Sequence, residues 1–183
     1  MAPPITRLSA CTALSDLDQF DTIIDVRSPA EFADDHIPGA INLPVLDDQQ
    51  RSKIGTIYKQ INPFTAKRAG AALVAQNIAT HLQTRLQDKD RNWRPLIYCW
   101  RGGQRSGAMA QIFSNIGWHS NVIGGGYKSY RRHVLDCLDH LPGQLSLLIV
   151  SGQTGTAKTH ILRAASIKGA QIIDLEQLAC HRG

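Results

Sequence analysis

"RPLIYCWRGGQRSGAMAQIFSNIG", residues 94–117, constrains the fold more than any other stretch of the chain. An apolar run ending at Cys99 reads as a buried strand. Two adjacent glycines make the turn, and helical spacing follows until Gly117 closes it. The same order recurs. Thr22–Val26 is a short buried strand, and a helix then starts with Ser28 as N-cap, Pro29 at its first position and Glu31 three residues after the cap. A second short strand lies around Ala40–Leu43. Helical spacing runs from Asp47 to Leu86 with a break at residues 62–64, and Ala71, Leu73, Val74, Ile78 and Leu82 form its core stripe. "SNVIGGG", residues 120–126, is a strand ending in glycines, before a helix that Pro142 and Gly143 stop. Strands alternating with helices predict an α/β fold with a doubly wound, mostly parallel sheet.

After Pro142 the pattern restarts: a strand over 144–150, a glycine-containing turn over 151–159, a helix over 160–165 and a strand over 170–176. The expected domains are residues 1–141 and 142–183. One βαβ unit already takes about thirty residues, so the second part is expected to be an incomplete α/β segment, the start of a truncated domain.

Hydrophobic residues make up 43% of the chain, yet the apolar run at 145–150 is far too short to cross a bilayer. Residues 1–16 lack the basic region and long apolar core of a signal peptide. A cytoplasmic protein with no membrane association is expected. Cys11, Cys99, Cys137 and Cys180 form no CxxC pair and no metal-ligand spacing with the seven histidines, so no metal is expected. In that compartment the thiols should be reduced. The formal charge of +5 favours a nucleic-acid partner only weakly.

Cys99 and Arg105 bracket five residues, a C-x5-R loop between a strand end and a helix start. Ligands of open α/β sheets bind there, against a helix N-terminus, and successive backbone amides make an anion nest. Trp100, Arg101, Gly102, Gly103, Gln104, Arg105 and Ser106 are the loop expected to hold the anion. Gly102 and Gly103 would let the backbone curl, and Arg101 or Arg105 would add charge-assisted bonds. The same positive field would favour the Cys99 thiolate, the reactive form. A cysteine-dependent phosphatase uses such a loop too, with attack on phosphorus and a carboxylate as general acid. Asp25, Asp34, Asp35 and Asp47 are available for that role, and the loop alone does not choose. Arg27 either faces the loop or makes a surface ion pair with Glu31.

"GQTGTAKT", Gly152–Thr159, fits the phosphate-binding pattern G-x4-G-K-[ST] except that Ala157 stands at the second motif glycine. Gly152 and Gly155 give the turn, Lys158 would neutralise phosphate charge, and Thr159 would ligate magnesium. The Ala157 methyl would weaken the close approach of a ligand.

"DVRSPAEF" followed by "DHIPGAINLPV" resembles the rhodanese family, in which the cysteine opening such a loop carries sulfur as a persulfide. "YCWRGGQRSGAMA", "GGYKSYRR", "LDDQQRSKIGTIYKQINPFTAKRAGAALVAQNIATHL", "GQTGTAKTHIL" and "IDLEQLACHRG" are similar to tRNA 2-selenouridine synthases, which join a rhodanese domain to a P-loop domain. The resemblance implies a rhodanese-like first domain followed by an incomplete P-loop segment. It implies Cys99 as the selenium-carrying nucleophile, with Asp25 and Arg27 as supports. Selenophosphate would be the donor, and selenium would replace the sulfur of wobble 2-thiouridine in tRNA through a geranylated intermediate made from geranyl diphosphate. The P-loop would hold that diphosphate or a nucleotide, with Mg2+. One feature agrees physically: the loop is one residue longer than in sulfur-transfer rhodaneses, which suits a tetrahedral anion. Lys128, Arg131 and Arg132, beside Tyr127 and Tyr130, form either a face for tRNA phosphates or a solvated basic helix. Trp100 either stacks on an unpaired base or shields the loop. The other readings kept open are the phosphatase and a catalytically incomplete rhodanese-like module from a truncated gene. Without most of its second sheet, the chain by itself is expected to be inactive.

Overall fold

The computed structural model describes residues 2–153 and 155–179, so Cys180 lies outside the described residues. Cα packing divides the chain into two units, one ending at His140 and the other beginning at Leu141. In the first, five strands make one sheet: β1 (Thr6–Leu8), β2 (Thr22–Asp25), β3 (Ile41–Asn42), β4 (Pro95–Tyr98) and β5 (Asn121–Ile123). Their order is β1-β5-β4-β2-β3, and every neighbouring pair is parallel. Six helices accompany them: α1 (Ala10–Leu14), α2 (Pro29–Asp34), α3 (Asp48–Gln60), α4 (Pro63–Thr84), α5 (Gln104–Ile116) and α6 (Gly126–His140).

A parallel sheet covered on both sides reads as apolar runs whose alternate residues enter opposite cores. Ile24, Val26, Ile97 and Val122 enter one cluster with Ile78, Met109 and Phe113 from α4 and α5. Ile23, Leu96, Tyr98 and Ile123 enter the other with Ala10 and Ala13 from α1 and Tyr127 from α6. This is the doubly wound arrangement expected.

Helix boundaries follow local chemistry. Glu31 accepts a hydrogen bond from the backbone N–H of Ser28, which precedes α2 (3.2 Å). Asp47 caps α3 by accepting from Gln50 N at 2.7 Å. The expected break near residue 62 is a new helix start, with Asn62 accepting from Thr65 N and Pro63 at the first position. Gly117, at φ +115°, ends α5 in the left-handed conformation.

The structure changes the sequence reading at three points. On α4, Ile78 is buried and Val74 and Leu82 pack against its cluster as expected, Leu73 is half-buried, Ala66 and Gly70 join the buried face, and Ala71 is exposed. The helix packs on α3 as well as on the sheet, which turns its buried face. β1 and α1 were not anticipated, because "TRL" has no apolar run and becomes a strand only through the partner that β5 supplies. In the second unit, α7 (Lys158–Ile167) and α8 (Leu175–Leu178) form, but residues 144–150 and 170–176 hold no strand. A strand needs a ladder partner, and neither segment has one among the described residues. Leu148 is 93% exposed.

Candidate active site

Parallel pairing brings the carboxyl ends of β2, β4 and β5 to one edge, where Asp25 is level with Tyr98, and Ile97 with Val122. The segments that leave this edge build the site. Cys99, the first residue after β4, is 3% exposed. Its Sγ lies 3.3 Å from Ser106 Oγ in the first turn of α5. Burial alone would push the Cys99 thiol up. The Ser106 hydroxyl, the Ser106 and Gly103 amides and the Arg105 charge outweigh it and hold the thiol below its ordinary value.

The loop is clamped against the glycine turn before α6. Tyr127 N donates to Cys99 O at 2.8 Å, and Lys128 N to Trp100 O at 3.0 Å. Gly102 (φ +62°) and Gly126 (φ +58°) are left-handed and meet backbone to backbone. A Cβ on Gly102 would strike Ile123 O, and one on Gly126 would strike Cys99 O. Gly103 differs: its φ is −104° and a Cβ there meets nothing within 4 Å, so only one glycine of the pair is demanded by the curl.

Arg105 donates to Glu31 at 2.8 Å, and Glu31 also pairs with Arg51 at 3.0 Å. Arg101 and Gln104 are exposed at the loop, and Trp100 is 40% exposed. Arg27 makes no ion pair with Glu31 but reaches the loop, its guanidinium 6.0 Å from the centre of the Trp100 ring. Its guanidinium is buried, donates Nε and Nη2 to Asp25, and lies 4.0 Å from the centre of the Tyr127 ring. Burial works against that charge, and Asp25 overcomes it. The Tyr127 hydroxyl donates to Asp35, as does Arg131 Nη1 at 2.7 Å. Asp35 is held below the usual carboxylate range, chiefly by Tyr127. Lys128 and Arg132 are exposed along α6, whereas Arg131 is committed to Asp35.

The second unit forms its own turn. Lys158 Nζ donates to Gly152 O and Gln153 O, both at 2.9 Å, which folds the ammonium over the loop that also contains Gly155. Lys158 and Thr159 open α7, so an ammonium and the amides of a helix N-terminus converge, a donor set that fits a phosphate. Thr159 Oγ1 donates to Glu176 at 3.4 Å, an oxygen pair of the kind Mg2+ takes. Ala157 sits at φ +59°, where its Cβ costs about 1–2 kcal/mol.

The family model for the rhodanese-like domain matches residues 10–133, about two-thirds of the chain. This chain belongs to the rhodanese-like domain family. Residues 145–183 match the tRNA 2-selenouridine synthase AAA domain. Proteins named tRNA 2-selenouridine synthase from Nitrosomonas europaea and Bdellovibrio bacteriovorus are 37% and 36% identical over 162 and 169 residues, 88% of this chain in both cases. The chain spans 42% of the length of each. A crystal structure of the N-terminal domain of a Clostridium difficile 630 protein aligns at 32% identity with a TM-score of 0.58, covering 72% of this chain and 99% of that one.

The rhodanese-like domain uses residues that sequence reasoning passed over. Arg7 on β1 donates from Nη1 to Gly102 O at 3.2 Å, and its role was hidden with its strand. Glu31 was visible as a capping residue and as a partner for Arg27, yet it holds Arg105. The run Gly124–Gly126 was the available signal for the clamp, because consecutive glycines at a strand end mark a close backbone approach.

Proposed function

We propose that this chain carries the selenium-transfer domain of a tRNA 2-selenouridine synthase, with Cys99 as the nucleophile that frees selenium from its donor. The observation that carries the reading is Cys99 itself, a buried thiol held below its ordinary pKa at the end of a parallel strand, against an amide-lined turn. Relatives of that name, aligned over 88% of the chain, support the assignment to tRNA. In this reading geranyl diphosphate alkylates the sulfur of wobble 2-thiouridine and releases diphosphate. The Cys99 thiolate attacks the phosphorus of selenophosphate and selenide leaves; selenide enters at C2 of the base as geranyl thiol leaves, and water hydrolyses the phosphocysteine to phosphate, so the net exchange is redox-neutral. The amides of residues 102–106 and the exposed Arg101 hold the donor's phosphate, while Asp25 and Arg27 brace the edge from below. Gly152, Gly155, Lys158 and Thr159 take the prenyl diphosphate or a nucleotide, with Mg2+. The setting is cytoplasmic; among the described residues no helix is long and apolar enough to cross a membrane.

The phosphatase reading keeps one unpaired candidate acid among the described residues, the exposed Asp34 at the end of α2. Of the others, Asp25 is tied to Arg27, Asp35 to Tyr127 and Arg131, and Asp47 to the start of α3. The test is donor cleavage: the chain is incubated with selenophosphate, released selenide is measured, and the phosphoryl adduct is read by intact-protein mass spectrometry. Selenide release and an adduct on wild type, and neither on Cys99→Ser, are expected. Selenide release that survives Cys99→Ser overturns the role of Cys99, and aryl phosphate turnover lost in that variant would favour the phosphatase.

A further inference from the structure

Between Asp48 and Asp88 the sequence has no Asp or Glu, but it holds Arg51, Lys53, Lys59, Lys67, Arg68 and Arg85. The stretch carries the α3–α4 hairpin, and its charge exceeds the formal +5 of the whole chain. All six cations are exposed. Among the described residues only Arg51 makes an ion pair, with Glu31. At the turn between the helices Tyr58, Ile61 and Phe64 are 55%, 65% and 73% exposed. Folding does not require this surface. The hairpin closes through other positions, with Gly70 facing Ile54 and with Ala66 and Ile78 buried. Ordinary solvated surfaces intersperse both signs of charge. A run of cations without acids is the footprint of a polyphosphate partner, and exposed rings beside it offer stacking to unpaired bases.

The hairpin is also joined to the site. Asp48, in the first turn of α3, accepts from Ala30 N at 3.2 Å, and Arg51 pairs with the same Glu31 that holds Arg105. From there the thirteen residues of α3 run about 20 Å to the aromatic tip.

We infer that the α3–α4 hairpin is the docking surface for a folded RNA. Lys53, Lys59, Lys67 and Arg68 contact its phosphates, and Tyr58 and Phe64 stack on unpaired bases. This rests on the proposed function only in taking that RNA to be a tRNA, and it is independent of the chemistry at Cys99. An anionic bilayer also attracts cations beside apolar side chains. Here the apolar residues are confined to the tip while the cations spread along both helices, which matches a folded polyanion better than a plane.

The experiment is binding of an unmodified tRNA transcript to the full chain, followed by fluorescence anisotropy from about 50 to 200 mM salt. The triple variant Lys59→Ala, Lys67→Ala, Arg68→Ala should bind about ten- to a hundredfold more weakly. Its log–log salt slope should flatten by about three, roughly one per lost phosphate contact. Phe64→Ala should weaken tRNA binding without changing that slope. Lys89→Ala combined with Arg94→Ala, cations already paired with Asp88 and Asp21, should change neither. Far-UV circular dichroism should be unchanged throughout, because every substituted side chain but Lys89 is exposed and Lys89 is half-buried. Selenide release from selenophosphate is the separate readout, and the hairpin variants should retain it. Absence of release in wild type would therefore sink the proposed chemistry and leave the hairpin proposal standing. Hairpin variants that bind tRNA as wild type does would overturn it. So would a wild-type chain that binds phosphatidylserine vesicles and not tRNA.

Discussion

At Arg27 a charged side chain 1% exposed is neutralised by Asp25 two residues before it on the same strand end. Breaking such a pair leaves an uncompensated buried charge, so Arg27→Ala is expected to cost about 3–5 kcal/mol in urea unfolding. Cys99 carries the pH dependence. Its thiol is held below the ordinary value, so thiolate is present at pH values where a free thiol is still protonated. The stabilisation of the folded chain is complete above the ordinary thiol pKa and is lost as pH falls through the lowered one. Alkylation rate against pH should show a midpoint below that of a free thiol, and Ser106→Ala should move it up. Gly126→Ala drives a Cβ into Cys99 O at a left-handed φ and should cost several kcal/mol, with loss of the clamped loop. Cys99 and its flanking glycines were legible as residue types in order. The partners of Arg27 and Arg105 were not, because Tyr127, Asp35 and Glu31 reach them across the fold.

Among the elements, those with local signals were legible and those without were not. Ser28, Pro29 and Glu31 announce α2, and Gly117 closes α5 where expected. α3 begins at a capping box, with Asp47 accepting from Gln50 N and the Gln50 side chain accepting from Asp47 N. Asp47→Ala should therefore lower stability by about 1 kcal/mol, read by denaturant midpoint. In α7 the local signal is at odds with the residue, since Ala157 occupies a left-handed position that the motif gives to glycine. Ala157→Gly should relieve that cost and tighten diphosphate binding several-fold by calorimetry. β1 escaped notice because three largely exposed residues carry no pattern of their own. Residues 144–150 and 170–176 carry a strand pattern without a partner.

For the molecule as a whole, the core lies in the unit ending at His140, with its two apolar clusters on opposite faces of the sheet. Trp93, Trp100 and Trp118 all belong to that unit, so tryptophan fluorescence reports on it alone. A chain cut after His140 should unfold in urea with the same midpoint and cooperativity as the full chain. A lower midpoint would mean that the second unit contributes to the stability of the first. The amino-acid sequence alone determined the α/β class, the alternation of strands and helices, the cysteine loop and the phosphate-binding turn. Each of these is written in apolar period, caps and glycines within a few residues of one another. Only the tertiary structure decided that the sheet is wholly parallel, that Arg7 and Glu31 serve the loop, and that Gly102 and Gly126 meet. Those outcomes depend on which strands become neighbours, and strand pairing joins residues far apart in the chain.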